Sequence, residues 1–249
     1  FFFSWSSLLA KFFSPKFSHP DPTVKRRSGL LAPGLSNSTS LGSGVSIPYF
    51  WNVANDRDLT FTPKLYLNEN PLLLSEYRQD FANSFLVVDT GYSKGYKKKS
   101  KKKSDGGRAH FFSKLRMSFV NEEEKNSDLQ INIEKVSNDT YFKVYDINSA
   151  LVKKEKTVLE NKIDFVYQNK DFFFGLTPSA YEDTSKLGNL RHEYILPLTI
   201  EKNIMNSEKY GFLDVGSNLK LRSYETNKQT NLLVNDIKWN TKKWLNSIF

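Results

Sequence analysis

The sequence predicts an all-β chain: the wall of an antiparallel transmembrane β-barrel, read as about twelve strands. Three observations carry this. Apolar and polar residues alternate with period two through much of the chain after Gly29. The alternating runs extend to roughly 9–12 residues, the length a tilted strand needs to cross a bilayer, whereas soluble strands average about 5–6. The connections are alternately short and longer, as when tight turns face one side of a membrane and loops the other.

In chain order, residues 1–24 are aromatic and close on Ser18-His19-Pro20-Asp21-Pro22, whose two prolines make a stiff extended joint. A boundary is expected near residues 23–27, which divides 1–27 from a sheet domain over 28–249. The opening FFFSWSSLLAKFFSPKF has no initiator Met, no basic n-region and no small-residue cleavage site. It does not read as a signal peptide, and the chain is expected to be the middle of a longer protein.

The first two runs each carry one proline, Pro33 and Pro48. Proline has no N–H to give a ladder and belongs at edges or bulges, so this pair reads as a deliberately weak sheet edge. An Asn-Asp-Arg-Asp turn leads into the third run, with Thr62-Pro63 at its far end. The runs, about twelve in all, centre near residues 33, 48, 62, 77, 88, 113, 132, 162, 175, 197, 217 and 237. In the sixth, Ala109, Phe111, Leu115, Met117 and Phe119 share one face; Arg108, His110, Lys114, Arg116 and Ser118 share the other. Leu129, Ile131 and Ile133 oppose Asp128, Gln130, Asn132 and Glu134. Leu213, Val215, Leu219 and Leu221 oppose Asp214, Asn218, Lys220 and Arg222. Turns are expected near 54–57, 82–84, 120–126 and 168–170, and longer loops near 94–107, 142–156 and 181–192. No segment shows a helical period. If Gly29 starts at the periplasm, all three longer loops fall on the outer side.

Composition narrows the class. Hydrophobic residues are 39%, mean hydropathy is -0.53, and no apolar stretch is long enough for a transmembrane helix. A barrel escapes that test, because only every second residue meets lipid. Its aromatic girdles suit 20 Phe and 12 Tyr. The absence of cysteine removes zinc–cysteine sites, thiol catalysis and disulfides. His19, His110 and His192 have no metal-ligand spacing, and no phosphate loop or nucleophile elbow occurs. No metal, no cofactor and no catalysis are expected. Net charge is +9, and KGYKKKSKKKSDGGR over 94–108 concentrates it. That run reads as a solvated loop or as a contact for glycolipid phosphates. A nucleic-acid partner is not expected, since no stacking pattern accompanies the charge.

The strings Arg26-Arg27-Ser28-Gly29, Leu30-Leu31-Ala32-Pro33, Ile47-Pro48-Tyr49-Phe50-Trp51-Asn52 and residues 56–64 together resemble the first barrel strands of the LptD (OstA, Imp) family. Weaker matches follow at Glu76-Tyr77-Arg78, Gly107-Arg108-Ala109-His110-Phe111-Phe112 and Ser137-Asn138-Asp139-Thr140-Tyr141. Beyond about residue 145 the likeness is one of style.

The resemblance implies the end of a periplasmic β-jellyroll over 1–27 and the N-terminal portion of an outer-membrane barrel over 28–249. The family barrel has roughly 26 strands, so about twelve cannot close it. It implies lipopolysaccharide transport without catalysis: acyl chains leave through a lateral seam while sugars cross the lumen. The implied partners are lipopolysaccharide, a plug lipoprotein within the barrel, periplasmic jellyroll bridge proteins and outer-membrane lipid. Pro33 and Pro48, with Leu31 and Gly34, fall on the lateral-gate strands. Missing ladder bonds, each worth about 0.5–1.5 kcal/mol, would weaken that seam. Lys114, Arg116, Glu134, Lys220 and Arg222 are expected to face the lumen. The lack of cysteine departs from the disulfides of many family members. Two alternatives stay open: another outer-membrane barrel such as a porin or receptor channel, and a soluble basic β-protein that binds polyanions. Detergent dependence separates the last from the others.

Overall fold

The computed structural model describes residues 26–97, 106–122 and 125–241. The expected jellyroll piece, apart from residues 26 and 27, lies outside the described residues. So does most of the lysine run.

The chain is all-β. Fifteen strands form one antiparallel sheet: β1 (Gly29–Leu30), β2 (Gly34–Ser38), β3 (Gly42–Ser46), β4 (Tyr49–Ala54), β5 (Arg57–Tyr66), β6 (Leu72–Phe81), β7 (Ser84–Ser93), β8 (Arg108–Glu122), β9 (Lys125–Val136), β10 (Val158–Asn169), β11 (Phe172–Leu176), β12 (Ser179–Asp183), β13 (His192–Ser207), β14 (Gly211–Tyr224) and β15 (Lys228–Asn240). These are the runs read from the sequence, with three of them cut in two. Each cut falls at a proline: Pro33 separates β1 from β2, Pro48 separates β3 from β4, and Pro178 separates β11 from β12. One set of connections has only two or three residues, as between β4 and β5 or β6 and β7. The intervening set includes the long links 94–107, 137–157 and 184–191.

Two short helices correct the expectation of none. The helix α1 (Tyr141–Tyr145) lies within 137–157, and a 3-10 turn covers Gly188–Arg191. At the start of α1, Asn138 Oδ1 accepts from Thr140 N and Oγ1 at 3.1 and 2.7 Å. At its end Asp146 takes the left-handed conformation, φ 46°. Five residues are too few for a period to show in sequence. Burial of Tyr141, Phe142 and Tyr145 selects the helix instead.

The chain divides into two compact units. The first holds β1–β5, nearly all of β6, most of β7, the start of β8 and residues 136–147. Leu72, Tyr141, Phe142, Tyr145 and Ile147 are its buried core. The second holds the remainder, with Phe112, Val152 and Leu159 fully or almost fully buried. Elsewhere the sheet inverts the rule for soluble proteins. Trp51 and Phe61 in the first unit and Ile163 and Val215 in the second are 37–51% exposed. Their alternate neighbours Asn52, Thr60, Asp164 and Asp214 carry the polar face. An exposed apolar face of this extent marks a surface meant to be covered.

Candidate functional site

The N-terminal edge gathers the proline and motif residues. In the first unit β1 pairs with β4 over only two positions, Gly29↔Phe50 and Leu30↔Tyr49. Beyond the break, β2 pairs with β3 from Gly34↔Ser46 to Ser38↔Gly42. The register has slipped by one residue between those pairings, so the Pro33 segment carries the extra residue of a bulge. Toward β5, by contrast, β3 and β4 keep a single register through Pro48.

The prolines leave pairs that bond one way. Leu31 N donates to Pro48 O at 2.8 Å, and Ile47 N donates to Pro63 O at 3.1 Å. In each pair the return bond is missing, because proline has no N–H. The same happens in the second unit, where Ile163 N donates to Pro178 O and Thr177 N to Pro197 O, both at 3.1 Å.

Side chains tie down what this short ladder does not. Asn52 N donates to Ser28 Oγ at 2.9 Å, and Asn52 Nδ2 donates to Arg26 O at 3.1 Å. Arg26 Nη1 reaches Asp58 Oδ2 at 3.2 Å, while Arg78 Nε holds Asp58 Oδ1 at 2.9 Å. The Asp58 side chain is 5% exposed. One buried carboxylate thus anchors the segment entering β1 to the third and fourth runs. Arg27 points to no partner among the described residues. Gly34 lies against Ser46, whose Oγ donates to its carbonyl at 3.3 Å. Tyr49 and Trp51 are exposed on the apolar face with Leu30 and Leu31 also exposed nearby, while Phe50 and Asn52 alternate with them.

A second cluster occupies the polar face of the first unit. His110 bridges Asp89 Oδ1, 3.1 Å from Nε2, and the Tyr141 hydroxyl, 3.0 Å from Nδ1. A Cβ at Gly91 would stand 2.5–2.7 Å from the His110 ring and the Tyr141 hydroxyl, so only glycine admits the pair. Tyr145 packs against Tyr66, ring centroids 6.4 Å apart. Lys64 Nζ donates to Asp146 O at 3.4 Å. The α1 segment is therefore fastened to β5, β7 and β8. Burial raises the Tyr141 hydroxyl well above the ordinary tyrosine range. Tyr145 is raised mainly by burial, against the opposing hydrogen bond to Ser93.

In the second unit Lys114 and Arg116 alternate along β8, and Lys220 and Arg222 along β14. Glu134 stands apart from them. Lys156 Nζ grips both its oxygens at 2.6 and 2.7 Å, and Glu160 N donates to it at 2.8 Å. It is an anchor for residue 156 of the long 137–157 connection. Among the described residues, no group of three or more His, Asp or Glu could hold a metal.

The chain is 32% identical to the LPS-assembly protein LptD of Nitrosococcus oceani over 144 residues, 58% of this chain and 18% of that protein. It is 26% identical to the LPS-assembly protein LptD of Legionella pneumophila strain Paris over 169 residues, 64% of this chain and 20% of that one. Against LptD of Shewanella oneidensis identity is 41% over 78 residues, 30% of this chain and 10% of the other. The similarity to these LptD proteins covers between 30% and 64% of this chain. The chain spans about a fifth or less of the length of these relatives. No family model matches it.

In this chain the strings that carry the resemblance to LptD proteins are joined by the fold. Arg26 and Arg78 share Asp58; Ser28 meets Asn52; His110 meets Tyr141. Ala109 N donates to Ser137 Oγ at 2.8 Å, linking two of the weaker matches. Sequence reading found these strings one by one but not their pairing. It set His110 aside because no metal-ligand spacing involved it. The one available signal was a histidine on the wet face of one run and an aspartate in the run just before it.

Proposed function

We propose that this chain forms part of an outer-membrane β-barrel wall that moves lipopolysaccharide to the outer leaflet, without catalysis, and that the wall parts at the seam between its first and last strands, beside the weakened N-terminal edge of β1–β4. The single observation carrying this is the proline-broken first hairpin: a two-residue ladder, a bulge, and one-way pairs at Pro48 and Pro63. The exposed apolar face then meets lipid, and the polar face lines the passage. Leu129, Ile131, Ile133, Leu213, Val215, Leu219 and Leu221 belong to the lipid side. Lys114, Arg116, Glu134, Lys220 and Arg222 belong to the lumen side. The relatives are named LPS-assembly proteins, which supports lipopolysaccharide as the proposed cargo. A plug lipoprotein and periplasmic jellyroll bridge proteins are the proposed partners, with residues 1–27 on the periplasmic side.

The Asp58 clamp fits this reading. It holds the segment before β1 through side chains, so the ladder beyond can open without releasing the joint. The test replaces Pro33 and Pro48 together with residues that own an N–H, in the full-length protein. Normal barrel abundance with reduced surface lipopolysaccharide is expected. The bulge leaves position 33 unpaired, so the recovered bond is the one from position 48 to Leu31 O; at about 1 kcal/mol it lowers the open population roughly fivefold. Unchanged surface lipopolysaccharide with an intact barrel would make the prolines ordinary edge residues.

A further inference from the structure

One level of the polar face in the second unit can be followed strand by strand. Ser118 Oγ donates to Asp128 Oδ1 at 2.6 Å, setting β8 against β9. Four residues along, Lys114 lies across from Asn132. The register is the same where Ser137 N donates to Ala109 O. Asn132 pairs with Lys162 on β10, Lys162 with Ser179 on β12, Ser179 with Ile195 on β13, and Ile195 with Arg222 on β14. The next level down runs from Arg116 to Lys220, which pairs with Pro197.

Five cations therefore share two adjacent levels. The spacing of strands makes this a band about 24 Å long and about 7 Å high. Carboxylates answer two of the five: Asp164 lies 3.3 Å from Lys162, and Glu193 lies 2.6 Å from Arg222. Lys114, Arg116 and Lys220 have neither a hydrogen bond nor an ion pair with any described residue. Glu134, one level up, is already held by Lys156. Between Lys114 and Lys162 the Asn132 Oδ1 is buried with no donor.

We infer that this band binds the anionic groups of a phosphorylated saccharide. Unanswered cations at strand spacing take phosphate oxygens by charge-assisted bonds. The Asn132 oxygen takes a sugar hydroxyl once the flexible lysine stems swing aside. Neutral walls would let a sugar slide; a transverse cationic band gives it one preferred station. The inference rests on the reading that the polar face lines the passage.

The experiment uses the full-length protein with a photo-crosslinking residue at Gln130, between Lys114 and Lys162 in strand order and one level down, and a second at Asp214, about 20 Å along β14 from Lys220, as a distant polar-face control. The probes are lipopolysaccharide and the same glycolipid with its phosphates removed. A parallel arm measures whether inorganic pyrophosphate protects Lys114 and Lys220 from acetylation. The expected result is crosslinking at position 130 that prefers the phosphorylated probe. The triple variant K114Q/R116Q/K220Q should lower it about tenfold, and K114R/K220R should retain it. Heat-modifiable migration confirms that each variant is folded. Equal crosslinking of the two probes, or a triple variant matching the wild type, overturns the band. Protection by pyrophosphate with no glycolipid at either position keeps the anion site and removes the passage reading. Absence of both protection and crosslinking overturns both.

Discussion

Two regions of this sheet are interrupted by prolines, and only one of them has a short, slipped ladder around the break. At the N-terminal edge Pro33 and Pro48 fall where β1 holds β4 at two positions and the register slips. In the second unit Pro178 and Pro197 leave the same kind of one-way pairs. There, however, β10 and β13 keep a single register across the break between β11 and β12. β13 is also bonded to β14 at fourteen positions. Proline alone therefore does not make a seam. A missing bond matters in proportion to the ladder around it, and to whether the register survives. Where the ladder is short, side chains such as Asp58 carry the load.

The comparison breaks hardest under charge on the long ladder's apolar face. Leu219 is mid-strand in β14, paired with Leu198 and Leu233. If that face meets lipid, Leu219→Arg costs about 2–4 kcal/mol, whereas Lys220→Arg beside it costs almost nothing. Denaturant unfolding of the full-length barrel in detergent or lipid vesicles measures both. Equal effects would mean that the two faces do not differ in solvent, and the membrane reading would fall with them.

Next comes the side-chain tether. Asp58→Ala removes the shared acceptor of Arg26 and Arg78. Losing one partner of a buried pair costs about 3–5 kcal/mol. Both arginines are more than 40% exposed, so water takes over part of their solvation and about 1–3 kcal/mol is expected. The loss should appear in unfolding and as faster proteolysis before Gly29. A variant in the second unit that removes a single ladder bond should cost only about 1 kcal/mol and leave that proteolysis unchanged.

How far the sequence could show this contrast follows from the range of each signal. Period-two alternation is local, so strand runs and faces were readable at β8, β9 and β14. Proline positions were readable as well, but not that only Pro33 stands on the edge run: β3 and β4, on either side of Pro48, pair with the first run on one side and with β5 on the other. The one-residue slip at Pro33 was not readable either, because a bulge depends on how two strands align. Asp58 looked like one more acid on a wet face. Its burial between Arg26 and Arg78 comes from residues 32 positions before it and 20 after. The α1 helix was hidden for the same reason: its five residues are helical because of what Tyr141 and Tyr145 touch.

A smaller effect separates the α1 attachment from the strands beneath it. Gly91→Val should expel the Tyr141 ring from its place beside His110 and speed protease cleavage within 137–157 about tenfold, with the barrel still folded. The pH dependence has a definite sign. Tyr141 and Tyr145 are raised when α1 is docked, so the undocked state loses its phenol proton first. Docking is at full strength below about pH 10, the ordinary tyrosine value, and weakens as pH climbs through the higher docked values. The rate of cleavage or hydrogen exchange within 137–147, divided by that of an unfolded reference peptide at the same pH, should be flat from neutral pH at first and then rise above about pH 10. A rise that begins near neutral pH would assign the attachment to another group.

The smallest effect tests the opening comparison most directly. At Pro178 the chain lacks one N–H toward Ile163 O, inside a ladder that is otherwise in register. Pro178→Ala returns that donor and should gain about 0.5–1.5 kcal/mol. It also frees the unfolded backbone that proline had restricted, which costs about 0.4–1 kcal/mol. The two terms nearly cancel, and the net change in stability should stay within about 0.5 kcal/mol. Transport should not change, because the long strands on both sides already prevent parting. Pro48→Ala faces the same two terms, yet its bond is added to a ladder of two positions and its consequence for opening is proportionally larger. Measured side by side, the two substitutions should match in stability and differ in surface lipopolysaccharide. If Pro178→Ala lowers transport as much as Pro48→Ala does, softness is spread along the wall and the N-terminal edge has no special place in it.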